Sequence, residues 1–474
     1  MSKNQNDNCN LETGFCEIAN LWLNFVDDDM FTSLAVIFLI TFGGTILTYL
    51  YEKEDSLLPR IAAGNVIGSA IFGTAAFVFA SLAGFSVATV VAAIVVSLLP
   101  LLLLTRKNIY TEFVANLRKA RGKFEGATLP KFLTFLYYSL ILLVLCLFFD
   151  RAMFETNDGI FTGASQNLGD LPFHLGAIYS FTEGNNFPPL NPSYDGAKFT
   201  YPFVVDLIAA CFVKLGAMTA AAMFVQNVTL TFSLVVLLER FTAGLSGSRL
   251  AGRIAPILLL LSGGLGFFLF FRDYFADGRS FFEFLRNLPM DYTIRPEGLR
   301  WGNTLIVLFV TQRGFLLGMP IVLLVLHVFR KQFFSTKNLD HKTGFASALA
   351  VGLLAGTLPL IHVHSLFVLF VVAAFTVVYL FVDRIRHANP DEGESISTDD
   401  AQSFFVSPLG QILIFGAAVC IVAVPELIWS LTGSATNLSK FIGWHFGWDK
   451  RDENFLLFWI KNLGLFLPLT FLSV

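Results

Sequence analysis

Charge is what this chain has least of. Only 14% of its 474 residues are charged against 55% hydrophobic, and its mean hydropathy is +0.67. A soluble domain carries charge on about a quarter of its residues, so soluble enzymes and soluble binding modules are excluded and a polytopic membrane protein is implied. Cysteine is scarce as well. Of the five, Cys146, Cys211 and Cys420 lie in apolar runs and read as small core hydrophobes. Cys9 and Cys16 precede the first apolar run and make only a weak case for a disulfide. No folded soluble segment is rich in Lys and Arg, which removes nucleic acid as a partner. Residues 1–29 are polar and acidic and lead into a full-length apolar run, so no cleavable signal peptide is expected. No convincing internal repeat is present.

Long apolar runs are what the chain has in abundance. They fall near 30–50, 61–81, 84–104, 132–149, 219–239, 254–271, 303–329, 344–358, 362–382, 407–427 and 455–474. A membrane-crossing helix needs roughly 20 such residues. The prediction is an all-α, polytopic transmembrane helical bundle of about 11 spans, with 344–358 short. Segment 203–217, FVVDLIAACFVKLGA, holds Asp206 and Lys214 and reads as a helix at the interface or as the first part of a bent span. Loop 105–131 carries Arg106, Lys107, Arg118, Lys119, Arg121, Lys123 and Lys131 against two glutamates. Such an excess marks a cytoplasmic loop. The basic loops at Arg240–Arg253, Arg330–Lys342 and Arg384–Arg386 fall on the same side by the span count. That orientation puts the N-terminus, 150–202, 272–302 and 428–454 outside. The acidic, Ser-rich run from Asp391 to Asp400 reads as a solvated linker.

Against this background the polar passage from Asp150 to Asp206 stands out. In Asp170-Leu-Pro-Phe-His174 the carboxylate and imidazole are four apart, which a helix puts on one face. Asp170 then suits either a general base or a helix cap with Pro172 in the first turn. His174 orders substrate or carboxylate, or is simply a satisfied interface histidine. Lys198 and Tyr201 suit phosphate and sugar contacts, with snorkelling as the plainer reading. Asp195 reads as turn chemistry. The same topology brings Gln312 and Arg313, His362 and His364, and Glu426 towards the outer side. An ionisable residue inside a span faces the protein interior or a water-filled cavity. Arg313 therefore either binds an anionic group such as phosphate or pairs with a carboxylate such as Glu426. His362 and His364 are two apart and diverge by about 200° on a helix, so one is expected to face the cavity and a two-histidine clamp is not. Trp444 and Trp448 fit a sugar-stacking shelf or an aromatic belt equally. The mixed loop 272–302 suits a lid, with nothing to fix its role.

These residues carry a resemblance. Gly169-Asp170-Leu-Pro-Phe-His174, then Asn185-Asn-Phe-Pro-Pro-Leu-Asn-Pro, then Lys198-Phe-Thr-Tyr-Pro-Phe203 follow a basic loop and one span, 132–149. The arrangement resembles the C-type superfamily of membrane glycosyltransferases, in a poorly characterised bacterial or archaeal branch. The likeness covers roughly 132–474 as topology, and only the outer loop and the short QRG and HVH segments as residues. The resemblance implies sugar transfer from a polyprenyl-phosphate donor to an acceptor on the outer face, with inversion. It places the essential acid of the first outer loop at Asp170 and two interface helices at 170–182 and 203–217. His174 joins Asp170 as a catalytic candidate. Arg313, Lys198, Tyr201, His362, His364, Gln312 and Glu426 are the substrate and phosphate candidates. No cofactor is certain, and a divalent cation is possible because some members of the superfamily use one. Expected partners are the lipid-linked sugar and membrane lipid. Residues 1–131 become extra N-terminal spans and the basic loop, and 132–474 the transferase-like core with outer loop 150–202. The alternative is a polytopic transporter or flippase of a lipid-linked or anionic substrate.

Overall fold

A backbone surrounded by hydrocarbon must satisfy its own N–H and C=O groups, and helices do so within each segment. The computed structural model describes residues 28–52, 55–124, 128–156, 158–163, 165–293, 299–334, 341–387, 407–432, 450 and 452–472. Among these it is all-helical except for one antiparallel hairpin, β1 (Phe154–Thr156) and β2 (Gly159–Phe161). Cys9, Cys16, the acidic run Asp391 to Asp400 and the Trp444–Asp449 segment lie outside the described residues.

In chain order, α1 (Asp28–Tyr51), α2 (Leu57–Ala83) and α3 (Val87–Leu98) come first, α3 running on as a 3-10 segment to Thr105. The basic α4 (Lys107–Phe124) and α5 (Leu129–Ala152) follow, then the short α6 (Asn167–Thr182) and α7 (Val204–Lys214). After these come α8 (Thr219–Ser246), α9 (Arg249–Leu261), α10 (Phe267–Asp277) and α11 (Phe281–Arg286). The chain ends with α12 (Arg313–Phe333), α13 (His341–Gly356), α14 (Leu358–His387), α15 (Pro408–Leu431), α16 (Phe455–Leu463) and α17 (Phe466–Leu472).

Eight of the described helices are long and apolar enough to cross a membrane: α1, α2, α3 with its extension, α5, α8, α12, α14 and α15. The chain is therefore a multi-pass integral membrane protein. Three of the eleven expected runs do not form one such helix. Run 254–271 breaks at 262–266 into α9 and α10, run 344–358 forms only the 16-residue α13, and run 455–474 bends by 89° between α16 and α17. A 13-residue helix such as α9 reaches about 20 Å, short of a hydrocarbon core of roughly 30 Å.

The core gathers around α8 and α12, which pack on each other and on α2. Helix α2 in turn lies against α1 so closely that small residues are required. A Cβ on Gly68 would strike the Ile40 carbonyl, and one on Gly64 would strike Thr45. Small residues permit this approach in membranes, where apolar side chains gain little by leaving lipid for one another. At the other extreme α5 touches mainly α8, and most of its surface is left outward.

The expected interface position of 203–217 is also corrected. Residues 204–212 of α7 are all buried, in contact with α2, α6, α8 and α12. A helix apolar all round belongs inside, and the one acid in its first turn, Asp206, finds its partners there.

Candidate functional site

The site begins with a helix that fails to continue. The run from 303 winds as a π-helical turn over Leu305–Val310, stops at Thr311 and Gln312, and restarts as α12 at Arg313. Unwinding of this kind frees backbone groups and frequently marks functional positions. Here it exposes the Thr311 carbonyl towards His174 Nε2 at 3.3 Å and places Arg313 in the first turn of α12.

Arg313 is 1% exposed. One terminal nitrogen pairs with Asp206 of α7, the other donates to Gln226 Oε1 at 2.6 Å, and Nε donates to Asn227 Oδ1 at 3.4 Å. The second carboxylate oxygen of Asp206 accepts from His174 Nδ1 at 2.8 Å. The guanidinium thus pairs with Asp206 and not with Glu426, and three of its five N–H donors are engaged. Both nitrogens of His174 face acceptors, the Asp206 carboxylate and the Thr311 carbonyl. Asp206, Gln226 and Asn227 were not among the candidates read from the sequence. A lone acid in an apolar 15-residue stretch was the available signal for the first.

Asp170 lies one turn before His174. The expectation that it caps its helix is corrected: α6 starts three residues earlier, at Asn167, so Asp170 is inside the first turn and Pro172 beyond it. Asp170 is partly buried, and among the described residues its carboxylate has no hydrogen-bond partner. Burial pushes its carboxyl above the usual range, while the charge of His174 pulls the other way. Phe173 packs edge-on against Tyr201 at 4.8 Å, and the His174 and Tyr201 rings are 6.3 Å apart. Burial, then the carboxylates of Asp206 and Asp170, push the Tyr201 hydroxyl up to about 12. Tyr201 is therefore a neutral donor beside Asp170. A cavity opens below, with Asn167, His174, Asn227 and Arg313 as its polar lining and Phe149 and Met223 among its apolar walls.

The remaining candidates sit apart from this group. Lys198 lies 4.0 Å over the Trp429 ring and 3.2 Å from Thr432 Oγ1, fastening the loop to the end of α15. Glu426 is buried and accepts from the Leu360 N–H at 3.2 Å, a donor that the start of α14 leaves unpaired. Gln312 is half-buried before Arg313 and makes no capping bond. The expected divergence of His362 and His364 is corrected. His362 is extended within α14 (φ −163°, ψ 90°), which interrupts the helical screw and brings the two rings to 5.4 Å. His362 is held by Ser365 Oγ at 2.8 Å and packs edge-on to Phe315, while His364 is exposed. Gly314 and Gly318 let this kink approach α12, so α12 presents Arg313 to α7 and α8 and its glycines to α14.

A group of side chains compatible with a divalent cation is present, but not beside Asp170. It is Glu52, Asp55 and His327, at the opposite end of α12. No protein-family model matches the chain, and no curated protein or solved structure matches it.

Proposed function

We propose that this protein is a membrane glycosyltransferase that moves a sugar from a polyprenyl-phosphate donor to an acceptor hydroxyl, with Asp170 as general base. The observation that carries the reading is a carboxylate that has no hydrogen-bond partner among the described residues, raised above the usual range by burial, one turn from a histidine fixed by a buried Asp206–Arg313 pair. A general base must be both available and basic, and such positioned groups contribute about 10²–10⁴-fold.

Asp170 takes the proton of the acceptor hydroxyl as its oxygen attacks the anomeric carbon. The bond from that carbon to the phosphate oxygen breaks, and its electron pair leaves with the phosphate. Direct attack from the opposite face gives inversion. The Arg313 guanidinium, on the wall of the cavity that His174 also lines, favours the negative charge gathering on the leaving phosphate. Because its guanidinium is engaged by three partners, Arg313 serves here as a positioning residue. Tyr201 supplies a neutral donor at the same face.

Purified D170N, which keeps the size of the side chain and removes its basicity, is expected to retain binding of a radiolabelled polyprenyl-phosphate hexose. It should lose transfer by at least about 10²-fold. Transfer by D170N at the rate of the unaltered protein would refute the assignment. A transporter or flippase is the second reading, favoured by one observation: α8 and α12 carry buried charge networks at both ends, as paired gates would. Movement of the labelled lipid across sealed vesicles without sugar transfer would select it.

A further inference from the structure

The far end of the α8–α12 pair holds the second network. Glu52, the residue after α1, is 4% exposed, and both its carboxylate oxygens lie 2.7 Å from Lys331 Nζ. One of them is also 3.3 Å from His327 Nε2 on α12. Asp55, in the turn before α2, accepts from Arg240 Nε on α8. Arg60 closes the network from behind, donating to Thr48 Oγ1 at 3.1 Å and to the Glu52 carbonyl, with its plane 3.9 Å from the Tyr49 ring.

Two independent features point from this network to a ligand. Glu52, Asp55 and His327 each offer a ligating atom within 4.8 Å of the other two, and all three line one small cavity with Thr48 and Arg240. His327 lines that cavity at 7% exposure with Nε2 towards Glu52, and among the described residues its Nδ1 has no hydrogen-bond partner. Buried polar atoms are nearly always paired, so an unpaired nitrogen on a histidine that lines this cavity needs an explanation.

We propose that Glu52, Asp55 and His327 form a divalent-cation site, and that Lys331 takes the place of the cation when none is bound. An ammonium bridging both oxygens of Glu52 puts positive charge where a chelated ion would put it. Lys331 is 24% exposed at its side chain, on a flexible four-carbon stem, and can withdraw to solvent. Arg240, with 28% side-chain exposure, can likewise release Asp55. Two carboxylates and an imidazole suit Mn²⁺ or Zn²⁺ better than Mg²⁺ or Ca²⁺, which prefer all-oxygen shells. Bound ion and bound Lys331 are alternatives at Glu52, and either one ties the end of α1 to α12. The site is independent of the transferase reading, and its failure would leave that reading untouched.

The test uses the full chain, purified in detergent and stripped with EDTA. It is titrated with Mn²⁺ while free ion is followed by electron paramagnetic resonance, and Zn²⁺ is then added as competitor. One saturable site is expected. E52Q and H327A should each weaken it by at least about tenfold. K331Q should tighten it, because it removes the competing ammonium and keeps both carboxylates; a gain of this kind cannot come from misfolding. Absence of saturable uptake by both the unaltered protein and K331Q would overturn the site. So would unchanged uptake in E52Q and H327A. Binding by K331Q no tighter than by the unaltered protein would overturn the exchange with Lys331.

Discussion

Arg313 holds three elements with one side chain. Its partners come from α7 and α8, and its own position begins α12. R313A would take the guanidinium from Asp206, whose side chain is 2% exposed, and leave it the His174 ring alone. Breaking a buried pair in this way costs about 3–5 kcal/mol, a large part of the 5–15 kcal/mol that typically holds a protein folded. Thermal unfolding in detergent should therefore show R313A well below the unaltered protein. R313K should fall between them, because a single ammonium cannot serve Asp206, Gln226 and Asn227 together. An R313A protein that unfolds like its parent would deny Arg313 this structural role.

Asp170 makes a prediction in pH. As a base it works only when ionised, and burial raises it above the usual 3.8. Sugar transfer should thus decline as pH falls through that raised value, with the acid limb displaced upward from an ordinary aspartate. Tyr201, pushed up to about 12, adds no limb near neutrality. D170E should keep an acid limb at a shifted position. Residual transfer by D170N with the limb unmoved would assign the titration to another group.

At the scale of elements, what a local pattern determines was readable and what distant chain determines was not. The apolar runs of α1, α2, α5, α8, α14 and α15 are visible in composition, because a lipid-facing helix must be apolar along its whole length. Asp170 and His174 were readable as one face of one helix because four residues separate them. Asp206 was visible as an acid in an apolar stretch, yet its partners lie 32 residues before it in His174 and 107 after it in Arg313. No local rule selects those partners. The burial of α7 follows from them, since an acid there is tolerable only once both have arrived. The histidine pair was misread for a different reason. Divergence by about 200° holds for an unbroken helix, and the extended backbone at His362 removes that premise.

At the scale of the molecule, three apolar runs fold as short or bent helices, because apolar composition alone does not fix where a helix breaks. Helix α13 has Gly352 and Gly356 against Phe415 and Val422 of α15, and it leads from the Lys331 end of α12 back towards the Arg313 end. The two charge networks then fall at opposite ends of the same helices. On α12, Arg313 and His327 are 14 residues apart, about 21 Å of helix. The basic α4 and the Lys331 end should face the cytoplasm by the excess of Lys and Arg there, and the Asp170 end should face outward. Lys119 is exposed on α4, and Asp195 is exposed in the loop between α6 and α7. In a background without native cysteines, Asp195→Cys should react with a membrane-impermeant thiol reagent in intact cells. Lys119→Cys should react only after the membrane is opened. Reversed labelling would turn Asp170 towards the cytoplasm, where the acceptor and the lipid headgroup would have to be sought, and would put the Glu52 site outside. Labelling of both in intact cells would mean that α5 does not cross. That helix packs mainly on α8 and is mostly exposed to its surroundings, so it crosses only if lipid covers it.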